Sequence, residues 1–329
     1  MEKMVKRKVW FTGFWKSFNI NENMFTQILK KKYDIEITPD DPDFLICSPL
    51  GRPYEYENYD CPRIMYTGEF LSADFNAIDY FIGFDDITFG DRSFRFPLFL
   101  YNDANGRYEN SKPLSKDAAV EELKKKKYFC NYIFGHDTAL GIREKILYQL
   151  QDYKRVECAG KHKNNMPNGE TVTIRTKGKV ISLSKFTITA ESVCYPGYTS
   201  EKINDAFLNR SIPIYYGDPT VGNTFNTKAF INVYDYPSIE DAVERVIDID
   251  NNDDLYIEML TQDKYIIENY ESSMYHQLEE YLWSIFAQEK EQAYRRPRFY
   301  RAGWHEQYLK EYNKHMLSVP HRLLKKLGI

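Results

Sequence analysis

Two carboxylates and a lysine stand out by type and position. In residues 185–219, KFTITAESVCYPGYTSEKINDAFLNRSIPIYYGDP, a strand is expected to end at Glu191 and a loop with Pro196-Gly197 follows. Thr199 or Ser200 then caps a helix whose first turn carries Glu201 and Lys202. A helix start offers unsatisfied N–H groups and the positive end of its dipole, so an ammonium there completes a site for an anion such as phosphate. Glu201 beside it suits the hydroxyl donors of a sugar. Ordinary capped helices also open with S-E-K, so this triplet alone does not separate a site from a cap. Glu69 closes Tyr66-Thr67-Gly68-Glu69 just after a short apolar run. A carboxylate at the C-terminal end of a strand is placed to take a proton from an attacking hydroxyl.

Metal chemistry has little support in the pattern. None of the six histidines (His136, His162, His276, His305, His315, His321) is expected to pair with another or with a carboxylate at helical ligand spacing. Asp41-Pro-Asp43 and Asp248-Ile-Asp250 have paired-carboxylate spacing, but the first opens a strand and the second closes a helix. A metal is therefore expected to be absent, and a bound diphosphate would have to be met by Arg, Lys and helix N-termini.

The elements that must position these residues alternate along the chain. Strands are expected at 8–15, 34–38, 44–48, 64–66 and 80–84, with a helix at 21–33. Residues 101–127 are rich in Asn, Asp, Gly, Pro and Lys and read as a linker. Beyond it come strands at 128–134, 185–191, 212–216 and 229–234, and helices at 139–153, 200–209 and 238–248. Residues 265–290 read as a long helix or helical pair. Such alternation predicts two α/β, Rossmann-like doubly wound domains facing across a cleft, with a helical C-terminal extension. The expected boundaries are 1–115, 116–275 and 276–329.

Length and composition agree with this layout. The chain has 329 residues, 43% hydrophobic and 28% charged, enough for two cores and too polar for a membrane-embedded protein. Its 27 Tyr suit flat polar ligands such as sugars and nucleobases. A net charge of −4 gives no reason to expect a nucleic-acid partner. Five scattered cysteines without a CxxC pair read as reduced thiols of a cytoplasmic protein. The start, MEKMVKRKVWFTGFW, has too short an apolar stretch for a signal peptide or anchor. Charge is segregated, however: residues 294–329 hold nine Lys/Arg against two acids. Toward the end these alternate with Leu, Met and Tyr, the composition of an amphipathic tail on an anionic membrane surface, in two short helices parted at Pro320.

Three stretches together resemble the bacterial α-1,3/4-fucosyltransferases. The longest is Gly197-Tyr198-Thr199-Ser200-Glu201-Lys202-Ile203-Asn204-Asp205-Ala206-Phe207, followed by IPIYYGDP at 212–219 and FNTKAFINV at 225–233. The second is Tyr66-Thr67-Gly68-Glu69, with Phe75-Asn76 and DYFIGFD at 79–85. The third, looser match is Ala139-Leu140-Gly141-Ile142-Arg143. The resemblance implies a GT-B fold, GDP-fucose as donor, no metal cofactor, and an oligosaccharide acceptor containing N-acetylglucosamine (or glucose) in a Lewis-type or LacNAc-type glycan. It implies Glu69 as catalytic base of an inverting reaction and Arg143, Tyr198, Glu201 and Lys202 as donor contacts. It also implies a peripheral place on the inner face of the cell membrane, through the tail. Ser192 stands where the family carries a donor-contacting Asn, in Ala190-Glu191-Ser192 against F-E-N. That departure keeps two alternatives open: another nucleotide sugar on the same fold, or a homologue that binds glycan or nucleotide without catalysis. The acceptor and the α-1,3 or α-1,4 linkage are not fixed by the sequence.

Overall fold

The computed structural model describes residues 4–52, 54–101, 112–137, 141–316, 318 and 323. In chain order the first elements are β1 (Lys6–Thr12), α1 (Met24–Lys30), β2 (Asp34–Ile37), β3 (Phe44–Cys47), β4 (Arg63–Tyr66), β5 (Tyr80–Gly83) and β6 (Ser93–Arg95). Then come α2 (Leu98–Tyr101), α3 (Lys116–Lys125), β7 (Tyr128–Tyr132), α4 (Ile142–Tyr153), β8 (Val156–Cys158), α5 (Lys177–Leu183) and β9 (Ser184–Ile188). The last are α6 (Glu201–Leu208), β10 (Ile212–Tyr215), β11 (Ile231–Asn232), α7 (Ile239–Asp250), α8 (Asp253–Leu260), α9 (Tyr270–Phe286) and α10 (Arg301–Met316). They fall into two compact units, Met1–Phe96 with Glu271–Ile329, and Pro97–Tyr270.

The first unit holds a parallel sheet in the order β2-β1-β3-β4-β5-β6. Its central strands FLIC, RIMY and YFIG are buried at every position, as strands covered on both faces must be. Register follows from these runs: Ile46 pairs with Ile64, and Ile64 with Tyr80. Asn23 caps α1 by accepting the Thr26 N–H at 3.0 Å.

The C-terminal segment does not stand apart as the expected third region; it completes this unit. The Phe286 ring stacks on Phe44 with centroids 4.3 Å apart, and Arg7 Nε donates to the Phe286 carbonyl at 3.0 Å. Asp79, fully buried at the start of β5, accepts the N–H groups of Arg63, Arg295 and Arg296 at 2.8, 2.7 and 2.8 Å. It also takes the Arg296 guanidinium. Arg63, equally buried, reaches Glu306 on α10 at 2.7 Å. The basic tail is therefore partly neutralised by its own unit: Arg295 pairs with Asp91, Arg296 with Asp79 and Arg298 with Asp60. These three are among the nine basic residues that suggested an external anion. Pro320 lies outside the described residues, while α10 runs unbroken to Met316.

The second unit holds a parallel sheet in the order β11-β10-β9-β7-β8. β8 lies on one side of β7 and the remaining strands on the other, so the order reverses between β7 and β9. Open sheets of this kind place ligands beyond the carboxyl ends of their strands at that reversal. Two expectations change here. The Lys-rich part of the presumed linker is α3, capped by Ser115 on the Ala118 N–H and packed by buried Ala119. The strand expected at 229–234 is only two residues long, because the Asn232 side chain accepts the Tyr234 N–H and turns the chain. Among the described residues, no helix is long and apolar enough to cross a membrane.

Candidate functional site

The second unit gathers four of the expected residues around the end of β9. Ala190 and Glu191 follow that strand, tied in by the Glu191 N–H donating to the Tyr216 carbonyl at 2.7 Å. Arg143, the second residue of α4, is 3% exposed rather than a surface arginine. Its Nε donates to the Ala190 carbonyl at 3.1 Å and its Nη1 to the His136 carbonyl at 3.2 Å. The guanidinium lies 4.2 Å from the Phe134 ring centroid. Burial pushes its pKa down, against the pull of Glu191, yet an arginine keeps its charge. Among the described residues Nη2 makes no hydrogen bond, which leaves donors for an anion.

Lys202 approaches the same dipeptide from α6. Its ammonium donates to Glu191 Oε2 at 2.9 Å and to Ser200 Oγ at 2.8 Å. Burial acts to lower its pKa, but Glu191 and then Glu201 outweigh this and the pKa is raised. Ser200 occupies the N-cap position, yet its hydroxyl does not cap α6 as expected. It donates instead to Glu191, whose carboxylate also accepts the Ser200 N–H at 2.8 Å. Glu201 opens α6, half-buried, beside Lys202.

The loop before α6 is shaped by Asp218, which is 2% exposed. Its carboxylate accepts the Gly197 N–H at 2.9 Å and the Thr199 hydroxyl at 3.0 Å. Gly197 has φ +82°, open to glycine at little cost. Tyr198 is buried within this loop. Ser192 is exposed on the strand-to-helix loop. Thr199, the other expected cap, is therefore a partner of Asp218.

Glu69 lies in the first unit, three residues past the end of β4. Its N–H donates to Thr67 Oγ1 at 3.0 Å, and its side chain is exposed with no hydrogen bond among the described residues. Asp85, just beyond β5, is 6% exposed, with Oδ2 buried and without a hydrogen-bond partner among the described residues. Asp79 of the same DYFIGFD stretch is structural, at the opposite end of that strand.

Neither expected Asp-x-Asp pair gathers as a ligand set. Asp43 accepts the Lys8 N–H at 2.7 Å, and Asp250 is held by Lys154 and Lys185. Two histidines do meet carboxylates, which the sequence reading missed. His276 stands 3.4 Å from Glu280 on α9, both largely exposed. Asp137, Glu144 and His162 bring three possible ligand atoms within 4.8 Å of one another. His162 Nε2 is 2.7 Å from Glu144, but the Lys163 ammonium at 3.3 Å and the Tyr148 hydroxyl at 2.8 Å share that carboxylate. The group is a polar network in which a cation is already supplied. Glu191 and Asp218 also escaped the sequence reading: their partners across the loops lie 9 to 21 residues away.

Residues 9–102 match the family described as alpha-(1,3)-fucosyltransferase FucT N-terminal domain. Residues 123–311 match glycosyltransferase family 10 (fucosyltransferase) C-term. The chain is 28% identical over 299 residues to alpha-(1,3)-fucosyltransferase FucT of Helicobacter pylori, covering 79% of this chain and 62% of that protein. A putative fucosyltransferase R654 of Acanthamoeba polyphaga mimivirus is 29% identical over 157 residues, 45% of this chain and 26% of its own length. The chain thus spans less than two thirds of either relative. A crystal structure of an alpha1,3-fucosyltransferase shares its fold with a TM-score of 0.70 at 24% identity, over 86% of this chain and 91% of that one. The same comparison with an alpha1,3-fucosyltransferase bound to GDP-fucose gives 0.67 at 23% identity, over 86% and 92%. With two parallel α/β units of the GT-B kind and a family match over most of the second, the chain belongs to glycosyltransferase family 10, the fucosyltransferases.

Proposed function

We propose that the chain is an inverting fucosyltransferase that moves fucose from GDP-fucose to a hydroxyl of N-acetylglucosamine (or glucose) in a Lewis-type or LacNAc-type glycan. One observation carries this reading: Arg143 and Lys202 converge on Ala190-Glu191 at the carboxyl end of the second sheet. Two cations there suit a diphosphate, and a similar fold has been solved with GDP-fucose. In the reaction the acceptor oxygen forms a bond to the anomeric carbon while the bond from that carbon to the diphosphate oxygen breaks. Glu69 takes the acceptor proton, and the negative charge left on GDP is stabilised by Arg143 and Lys202. Glu201 accepts hydrogen bonds from sugar hydroxyls, and Tyr198 lines the donor site. No metal takes part.

Ser192 favours a second reading, a different nucleotide sugar on the same machinery, because its short side chain is exposed where the family carries Asn. Thermal unfolding with GDP-fucose, GDP and UDP separates the two, since a ligand that binds the native state raises its melting temperature. Stabilisation by GDP and GDP-fucose but not UDP is expected. A donor-by-acceptor activity screen with linkage analysis of the product then fixes acceptor and linkage. Stabilisation by UDP alone would overturn the GDP-fucose reading. We further assign the tail to an anionic membrane surface on the cytoplasmic side, supported by exposed Trp304, Tyr308 and Tyr312 on the basic α10.

A further inference from the structure

The carboxylate of Glu191 has no route to substrate, since its side chain is 0% exposed. It nevertheless accepts three donors at the donor site. Oε1 accepts the Ser200 N–H and hydroxyl, each at 2.8 Å, and Oε2 accepts the Lys202 ammonium at 2.9 Å. Space for it is reserved: a Cβ at Gly217 would stand 2.5 Å from Glu191 Cγ. Lys202 also donates to Ser200, so two of its three N–H groups are fixed and the third meets no described residue.

We propose that Glu191 is a positioning residue: it holds Lys202 protonated and aims the remaining N–H at the donor diphosphate. Lys202 is half-buried, and a lysine drawn partly out of water loses its proton more readily when it has no counterion. A neutral amine would neither attract diphosphate nor stabilise it as it leaves. Glu191 supplies that counterion from the end of β9. The other charged or titratable groups facing the ammonium are Glu201 on its own helix and Tyr198 in the preceding loop. Glu191 itself faces Arg143 from α4 and Tyr215 from β10. The same dipeptide sets the second cation, because the Ala190 carbonyl receives Arg143. This inference rests on the donor reading of the site.

GDP affinity measured by calorimetry from pH 7 to 9 tests it in wild type, Glu191→Gln, Lys202→Ala and the double variant. Taking the ratio of variant to wild-type Kd at each pH cancels titration of the nucleotide itself. A cation contributes below its pKa and is lost as pH rises through it. The Glu191→Gln ratio is therefore expected to climb with pH, approaching about tenfold per pH unit once past the variant's midpoint. In the Lys202→Ala background the same change should produce no climb. A ratio that is flat with pH, or a climb that persists without Lys202, would overturn the proposal and leave Glu191 a packing residue. Unchanged GDP affinity in Lys202→Ala would instead overturn the donor reading beneath it. Should Gln at 191 prevent folding, Lys202→Arg gives the answer from the other side. Its guanidinium stays charged, so a Lys202→Arg to wild-type ratio constant with pH is expected. Wild-type affinity falling relative to Lys202→Arg above pH 7 would show that Glu191 fails to keep the ammonium charged.

Discussion

Replacing Arg143 by Ala removes a cation and a clasp at once, and the two can be measured separately. The clasp is the pair of hydrogen bonds to the Ala190 and His136 carbonyls, at 3.1 and 3.2 Å, with the Phe134 ring 4.2 Å away. Losing it also relieves the burial of a guanidinium that is 3% exposed. The net fall in unfolding free energy is therefore expected at about 1–3 kcal/mol. The cation acts only when ligand is present. A charge-assisted bond to a diphosphate oxygen is worth about 1.5–3 kcal/mol, so Kd for GDP should rise roughly ten- to 150-fold. Urea unfolding without nucleotide reads the first effect, and calorimetric titration with GDP at 25 °C reads the second. Arg143→Lys sharpens the separation, because an ammonium keeps the charge but lacks the planar fork that spans two carbonyls. It should recover part of the GDP affinity and little of the stability. If Arg143→Ala lowers stability but leaves GDP affinity within about twofold, a shift of only some 0.4 kcal/mol, the arginine is a brace and another cation meets the diphosphate.

Glu69→Gln should lower kcat at least about a hundredfold while GDP affinity holds, and a variant keeping more than roughly a tenth of wild-type kcat would remove Glu69 from the mechanism. Asp79→Asn should destabilise the protein by about 3–5 kcal/mol in urea unfolding, because Arg296 loses its buried counterion; a change under about 1 kcal/mol would refute that account. Turnover should persist in EDTA, since Arg143 and Lys202 supply the positive charge; activity abolished by chelation and restored by Mn²⁺ would contradict this. Deleting residues after Tyr308 keeps Glu306 on Arg63, so activity on soluble acceptors should survive while salt-sensitive binding to anionic vesicles is lost. Unfolding or inactivity of that truncation in solution would make the far tail part of the catalytic fold.

Apolar runs carried the fold into view. FLIC, residues 64–66 of β4 and YFIG announce themselves because parallel strands covered on both faces favour apolar runs. Short strands such as SFR in β6 and VEC in β8 do not, since three residues set no pattern. The helix α3 was hidden by its lysines: only Ala119 is fully buried and Leu123 packs partly against the core, while the rest of its surface reads as loop. At the proposed site, Glu201 and Lys202 were legible as residue types on a helix start, and Arg143 through the family resemblance. Their organiser was not. Glu191 reads as an ordinary end of a strand until folding carries Ser200 and Lys202 onto it, 9 and 11 residues downstream. The destination of the basic C-terminal segment was hidden for a related reason. Arg296 meets Asp79 across 217 positions, a separation no local pattern encodes.

That last contact bears on how the protein is made. The second unit is one continuous stretch, Pro97–Tyr270, complete as soon as it leaves the ribosome. The first unit is split, and its buried Asp79 meets Arg296 only after about 200 further residues have been synthesised, on the order of 10–40 s at about 5–20 residues per second. During that interval β3, β4 and β5 are present without the Phe286 ring that covers Phe44. Released fragments that end at residue 280 should therefore carry a protease-resistant second unit and an N-terminal stretch still open to cleavage. The part of the chain that is written first is the part that is finished last.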